Sequence, residues 1–413
     1  MKKIVLSALT VATLGTVAAS AASVYKDRNG VLYTTAGEGR VAVEVKDEKL
    51  KRDGFWGRFH AKGDLRLRQE VIKKDPDTTT LDKNRERYRF RYGVNVDVTD
   101  NIVLETAIAS GKYNPTSGNV NFNNDDNYNK AQIQDYFIDM LKIDIADIKY
   151  SFDNSWLRVG KQAHNIYRPI KTQLVWDNDI RLEGINYGFK DDNSQMRFGV
   201  NRVHREKGSK DGSNINIFLG QYVHTLKVDE AKVNLGAAYY HYDGVKGNTD
   251  PYGNSDGTAS VKGFKGNSYS TAVDAGGRYT EDYQIGEAFV EAQFKDVMGK
   301  PFKMALIGAY NFGASDDNIG YDVSAQWGAN KKVGDWQVAA TYRDVEKDSV
   351  FGAHNDSDFS GGGTDSTGYY GKIKYKFAKN VDVQGWWNWS DTKISTGNTV
   401  EYYRHQIDVI LKF

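Results

Sequence analysis

Arg87, Arg89 and Arg91 occupy every second position of RERYRFRYGVNVDV (85–98), with Tyr88, Phe90 and Tyr92 between them. A period of two is that of an extended strand, whose side chains point alternately to opposite faces. The same division recurs elsewhere in the chain. GDLRLRQE (63–70) sets Asp64, Arg66 and Arg68 against Leu65 and Leu67, and YYGKIKYKF (369–377) sets Lys372, Lys374 and Lys376 against Tyr369, Ile373, Tyr375 and Phe377. Stacked cations on one face attract anions, and they need water or carboxylates around them. Asp64, Glu70 and Asp97 are the acids that the same strands supply.

No catalytic pattern accompanies these cations. The seven histidines are scattered, at 60, 164, 204, 224, 241, 354 and 405, and no H-x-x-x-H or G-x-S-x-G places a base or a nucleophile. Cysteine is absent, which removes disulfides and thiolate chemistry together. An enzyme would need a site assembled only in space. NFNNDDNYN (121–129) and HNDSD (354–358) offer oxygen ligands without the spacing of a calcium loop, so both read as polar external loops. GSKDGS (208–213) and SGGGTDSTG (360–368) have flexible-loop composition and no strand-to-helix switch around them. Neither a metal nor a cofactor is expected.

The elements that must carry the cations are strands. The chain of 413 residues holds 41 Gly, 26 Tyr, 18 Phe and 8 Trp against 5 Pro, a composition for many strands and turns rather than a helical bundle. It opens with MKKIVLSALTVATLGTVAASAAS: Lys2 and Lys3, an apolar stretch, and small residues at Ala19, Ser20 and Ala21, the pattern of a cleaved export signal. Cleavage near Ala21 or Ala22 removes two of the 55 basic residues and leaves 53 against 54 acidic ones. Near-neutral charge gives no bulk attraction to nucleic acid. Beyond the signal no apolar run is long enough for a spanning helix, so any membrane crossing must be made by strands.

Period-two segments separated by turns recur sixteen times: 55–72, 85–99, 102–110, 133–151, 156–162, 180–190, 195–203, 214–227, 231–242, 283–294, 301–312, 319–329, 336–346, 367–377, 381–390 and 402–413. The connections alternate between short turns, such as 100–101 and 378–380, and long loops, such as 111–132, 163–179 and 243–282. That alternation is the pattern of a transmembrane antiparallel β-barrel, with tight periplasmic turns and variable external loops. In a bilayer every backbone polar group must be paired, so strands survive only in a closed barrel. Tyr88, Phe90, Tyr92, Val94, Val96 and Val98 then face lipid, and the arginines face a wet lumen. Two segments fit poorly, 180–190 and 283–294; in the second, Glu287, Phe289 and Glu291 share a face. Trp386 points to the lumen in this register, unlike Trp336, Trp387 and Trp389.

HQIDVILKF closes the chain with Ile407, Val409, Leu411 and the terminal Phe413 on one face. This resembles the sorting signal that the barrel-assembly machinery of bacterial outer membranes reads. The expected organisation is a signal peptide over 1–22, an N-terminal periplasmic segment over 23–54 and an outer-membrane barrel over 55–413.

GDLRLRQE, RERYRFRYGVNVDVTDNIVLETAIASG, QDYFIDM, LRVGKQ and DIRLEGINY together resemble the putative porin family of Gram-negative outer membranes, which is similar in look to phosphate-selective porins. The resemblance covers most of the mature chain. It implies a sixteen-stranded diffusion channel for ions and small hydrophilic solutes, commonly a homotrimer in outer-membrane lipid, with a third long loop folded inward. On the strand map that loop is 163–179, which brings Arg168, Lys171, Asp177 and Asp179 to a constriction. Arg66, Arg68, Arg87, Arg89 and Arg91, from neighbouring strands, form one positive wall, and weak anion preference follows if they outweigh the lumen acids. If the acids pair them off, the cations merely hydrate the interior. The alternative function is an adhesin or envelope-linking barrel acting through its external loops, above all 243–282.

Overall fold

The computed structural model describes residues 24–26, 32–33, 41–43, 55–75, 83–111, 115–122, 141–205, 214–252, 261–271 and 277–413. The expected signal peptide, the 123–129 part of the amide-rich segment and GSKDGS lie outside the described residues. Residues 24–43 contribute three short strands, Val24–Lys26 pairing antiparallel with both Leu32–Tyr33 and Val41–Val43.

Sixteen long antiparallel strands form a closed barrel. The first eight are β1 (Phe59–Asp75), β2 (Lys83–Asp97), β3 (Ile102–Ser110), β4 (Leu141–Phe152), β5 (Ser155–Ala163), β6 (Arg181–Lys190), β7 (Ser194–Arg205) and β8 (Asn214–Val228). The rest are β9 (Ala231–Asp243), β10 (Tyr283–Val297), β11 (Lys300–Asn311), β12 (Ile319–Gly328), β13 (Trp336–Val345), β14 (Ser366–Ala378), β15 (Val381–Thr392) and β16 (Val400–Lys412). Each long strand pairs with its chain neighbours, and β16 closes on β1 from Glu401↔Asp75 to Lys412↔Asp64. A two-residue piece, Val120–Asn121, adds to the ladder beside β2. Closure leaves no edge strand, so the ladder pairs its own backbone groups without water.

Every predicted strand is present, with local corrections. Residues 55–58 form a 3-10 turn rather than strand, and the strand begins at Phe59. β1 then runs on to Asp75 instead of stopping at 72. The fourth strand begins at Leu141, not 133; residues 133–140 lie outside the described residues. The terminal Phe413 follows the last strand, which ends at Lys412.

The outward face is apolar and the inward face polar, as period two requires, except for an apolar patch of Leu182, Ile215, Ile217, Tyr240, Ile285 and Ile307 on the upper inner face. Ile143, Phe198, Leu306 and Ile407 are all more than half exposed on the outside, an apolar surface suited to a bilayer rather than to water. Aromatics ring both ends. Near the long loops Tyr342, Tyr369, Trp389 and Tyr403 stand opposite one another in register on consecutive strands, and near the short turns Trp336 packs on Tyr375 at 4.5 Å. Trp387 folds over Gly371 on the outside, whereas Trp386 turns inward beneath Tyr370. β10 also obeys the alternation: Glu287, Phe289 and Glu291 are all buried inside. Phe289 is tolerated there because it lies over Gly236, where a Cβ would come within 2.1 Å of its ring.

Candidate functional site

The lumen is divided by two loops. The first, 164–180, leaves β5 and crosses to the inner faces of β8 and β10 to β12. Tyr167 stacks on Phe289 with ring centroids 5.6 Å apart, and its hydroxyl donates to Glu291. Gln221 of β8 grips the Tyr167 backbone from both sides, accepting from its N–H at 2.7 Å and donating to its carbonyl at 2.9 Å. The Ile170 N–H donates to the other Glu291 oxygen at 3.0 Å, and the Thr172 hydroxyl donates to Asp322 of β12. Leu174, Val175 and Trp176 are buried in the barrel's apolar cluster with Tyr240, Tyr242, Ile285 and Ile307. Ile170 and Lys171 take positive φ of 49° and 60°, a strained turn that these surrounding bonds hold in place.

The second loop, 346–365, also folds inward, which its composition did not suggest. Asp177 of the first loop donates its N–H to the His354 carbonyl at 2.7 Å, and its carboxylate accepts from the Ser357 N–H at 3.0 Å. Asp356 answers with an N–H to the Gln173 carbonyl. His354 sits between the Tyr242 and Tyr252 hydroxyls at 2.9 and 2.7 Å. Burial pushes its imidazole down to about 3, so it is held neutral. Burial likewise drives His164 well below its usual value, and raises Asp177, where Asp179 and Asp356 add repulsion. Arg343 of β13 ties the second loop to the wall, with Asp322 at 2.7 Å and Asp356 at 3.0 Å.

Across from this packed side stands the charged wall. Seven guanidiniums, of Arg66, Arg68, Arg85, Arg87, Arg89, Arg91 and Arg404, share five carboxylates, of Asp64, Glu70, Asp179, Asp358 and Asp408. Arg68 holds Asp408 through two nitrogens at 2.7 and 2.9 Å. Arg404 and Arg85 bind Glu70, Arg89 binds Asp64 at 2.7 Å, and Arg91 binds Asp179. Burial works against the Asp179 charge, but Arg91 and Arg89 outweigh it and hold the carboxyl well below its usual range. Several Nε atoms in the wall, on Arg66, Arg87, Arg89 and Arg91, have no hydrogen-bond partner among the described residues.

The structure brings all five predicted wall arginines onto one inner surface. Lys372, Lys374 and Lys376 also face inward, on β14: Lys376 pairs with Asp382 at 2.9 Å, while neither Lys372 nor Lys374 has a carboxylate within ion-pair distance among the described residues. Of the predicted loop residues, Asp179 reaches the wall and Lys171 is exposed. Arg168 instead braces its own loop, donating to the Trp176 carbonyl at 2.8 Å, and Asp177 is buried against the second loop. Asp97 binds His60 at 2.7 Å. Ile407, Val409 and Leu411 lie on the outer face of β16.

Sequence reading missed Arg85, Arg404, Asp358 and Asp408. The alternation Arg404, Gln406, Asp408 in EYYRHQIDVILK carried the signal for two of them. Asp358 had none, since nothing in a Gly-, Ser- and Asp-rich loop says that it turns inward. Cavities flank the loops. One of about 350 Å³ lies toward the long-loop end, with the cations Lys74, Lys83, Arg85, Arg87, Lys265 and Arg404 on its lining. Another of about 610 Å³ lies toward the short-turn end and includes Lys227, Lys232 and Lys303.

The comparisons with known proteins follow this architecture. The family described as putative porin matches residues 56–287 and 279–413. No curated protein matches. Among solved structures, the chain is similar to OprB of Pseudomonas putida in its high-pH structure, at 11% identity over 86% of this chain and 94% of that one, with a TM-score of 0.54. It is similar to OmpF of Salmonella typhi in complex with daunomycin, also at 11% identity, over 86% and 97% of the two chains, with a TM-score of 0.50. At such identities the likeness is one of fold. A family match along nearly the whole barrel, joined to a closed sixteen-stranded wall with an apolar exterior and a charged interior, makes this chain a member of the putative porin family and an outer-membrane porin channel.

Proposed function

We propose that the channel conducts ions and small hydrophilic solutes by passive diffusion with a weak preference for anions. The observation that carries the preference is the charge balance of the wall: seven guanidiniums against five carboxylates, with Lys372 and Lys374 nearby and without a carboxylate partner among the described residues. Unbalanced lumen charge raises the local concentration of the opposite ion. The arginines of β1 and β2 and the lysines of β14 line the path, and loops 164–180 and 346–365 narrow it. A path of this kind has no bond-making chemistry to do, so the protein acts without enzymatic activity.

The chain is exported on residues 1–22, residues 23–54 stay on the periplasmic side, and β16 with its Ile407, Val409, Leu411 and Phe413 presents the assembly signal. The functional unit is a homotrimer. The test is single-channel recording in a planar bilayer under a potassium chloride gradient. Ohmic steps with a reversal potential of anion-selective sign support the reading; a cation-selective sign overturns the preference and leaves the channel.

A further inference from the structure

Arg343 lies on the inner face of β13, in register opposite Asp322 of β12, and both residues are fully buried. The two form a fork: Arg343 Nε donates to one Asp322 oxygen at 2.7 Å, and a terminal nitrogen donates to the other at 2.8 Å. A guanidinium is planar and rigid, so a fork on one carboxylate fixes the direction of the donors left over. Those donors reach both inward loops. The same terminal nitrogen meets the Thr172 hydroxyl of the first loop at 3.3 Å, and that hydroxyl donates in turn to Asp322. The other terminal nitrogen donates to Asp356 of the second loop at 3.0 Å. Phe359 of the second loop and Tyr370 of β14 lie against the guanidinium, with ring centroids 5.1 and 5.2 Å away.

Asp356 in turn organises its own loop. Its other oxygen accepts from the Asp358 N–H at 3.0 Å and the Phe359 N–H at 3.4 Å, closing the turn that delivers Asp358 to Arg404 at 2.7 Å. Gln221 and Glu291 hold the first loop, and Asn388 and Gln406 the second. Among the described residues Arg343 is the wall side chain that hydrogen-bonds to both. A buried cation cannot drop a partner without leaving charge uncompensated, so a shift of either loop is resisted by the contacts of both.

We propose that Arg343 is the positioning residue of the constriction: through its fork on Asp322 it fixes loops 164–180 and 346–365 as one rigid aperture, whose diameter decides which neutral solutes pass. That role rests on the reading that the two loops narrow the path, and it adds the residue that sets their distance from the charged wall.

Full-length protein would be reconstituted in liposomes and swelling recorded with neutral polyethylene glycols of increasing size, so that the sieve is read apart from ion preference. Single-channel conductance in potassium chloride would be recorded alongside. Arg343→Met should admit larger glycols than wild type and conduct about twofold more. Arg343→Lys should behave like Arg343→Met, since one ammonium cannot fork Asp322 and still reach both loops. Should the carboxylates left behind prevent folding, Thr172→Val/Asp356→Ala keeps the Asp322–Arg343 pair, cuts both loop contacts and should widen the sieve as well. Arg158→Met is the control: it strips Glu105 and Asp147 of their shared partner, bonds to neither loop, and should lower thermal stability while leaving the sieve unchanged. Wild-type sieving by folded Arg343→Lys or by Thr172→Val/Asp356→Ala, or an equal widening by Arg158→Met, overturns the role of Arg343. Trp176→Ala separates two ways to fail: if it alone widens the sieve, only the role of Arg343 is lost, and if no variant widens it, the loops do not limit the path. Absence of steps from folded wild-type protein removes the channel and the aperture together.

Discussion

From β6 to β13 the upper inner face carries Leu182, Ile215, Ile217, Tyr240, Ile285 and Ile307, and the loop residues Leu174, Val175 and Trp176 are covered against them. From β14 through β16 to β5 the same depth carries Arg404, Arg68, Arg89, Arg91 and their carboxylates. Apolar surfaces in contact exclude water and pack to the density of a protein interior, so the first side fills and holds a loop. Buried charges each need a partner, so the second side is held by ion pairs instead, with Arg68, Glu70, Arg404 and Asp408 covered among them, and the proposed path runs along it. One barrel thus divides into an apolar anchor and a charged side, the proposed corridor, and Asp177, Asp179, Asp356 and Asp358 are the loop acids where the two meet.

Breaking the anchor should have the largest effect. Trp176→Ala empties a site that is 1% exposed, and a loss of about 3–5 kcal/mol is expected from transfer and cavity terms together. Loop 164–180 should then leave the wall, giving lower thermal stability in detergent and a larger, noisier conductance. Unchanged conductance would mean that this loop does not limit the path.

Charge removal in the corridor should cost less stability and change selectivity more. Arg89→Gln with Arg91→Gln strips Asp179 of both its partners on β2, for a loss on the order of 1–3 kcal/mol. The reversal potential should move toward cations. If selectivity holds while stability falls, these arginines are structural only.

A pH titration sharpens the contrast at the joint between the two loops. In the fold His354 is held down to about 3, against a usual 6.5, so the unfolded loop takes up a proton that the folded one refuses. Its contribution is fully present above 6.5 and is lost as pH falls toward 3, at up to about 1.4 kcal/mol per pH unit. Asp177, raised by burial, has the opposite sign over its own window. Conductance noise should therefore rise as acid loosens the joint, and His354→Gln, which can still bond a tyrosine hydroxyl, should flatten that rise; an unaltered profile would remove His354 from the clasp. The smallest effect belongs to Lys161→Ala, which breaks an exposed pair with Glu183 and should shift stability by less than about 0.5 kcal/mol, as thermal denaturation would show.

The strands were legible because their signal is local. Alternation and turn chemistry located all sixteen, and the two misfits have specific causes. In 283–294, Phe289 sits among the inward acids because Tyr167, more than a hundred positions earlier, stacks on it over a glycine. In 180–190, Leu182 is inside because it joins the apolar anchor under the first loop. Loop 346–365 was read as external, since Gly, Ser and Asp promise flexibility but not direction. The positive wall was anticipated from β1 and β2, while its neutralising partners were only partly visible: Asp64 and Glu70 lie in the same strands, but Asp408 is 340 positions from the Arg68 it binds.

Sequence alone determined a closed barrel and which side of each strand meets lipid, because backbone pairing in a bilayer and period-two alternation act within a strand and its neighbours. Tertiary structure decided which charges cancel and which loops turn inward. Those outcomes depend on side chains that only barrel closure brings within 3 or 4 Å, where an unpaired charge is costly and a paired one is held in place.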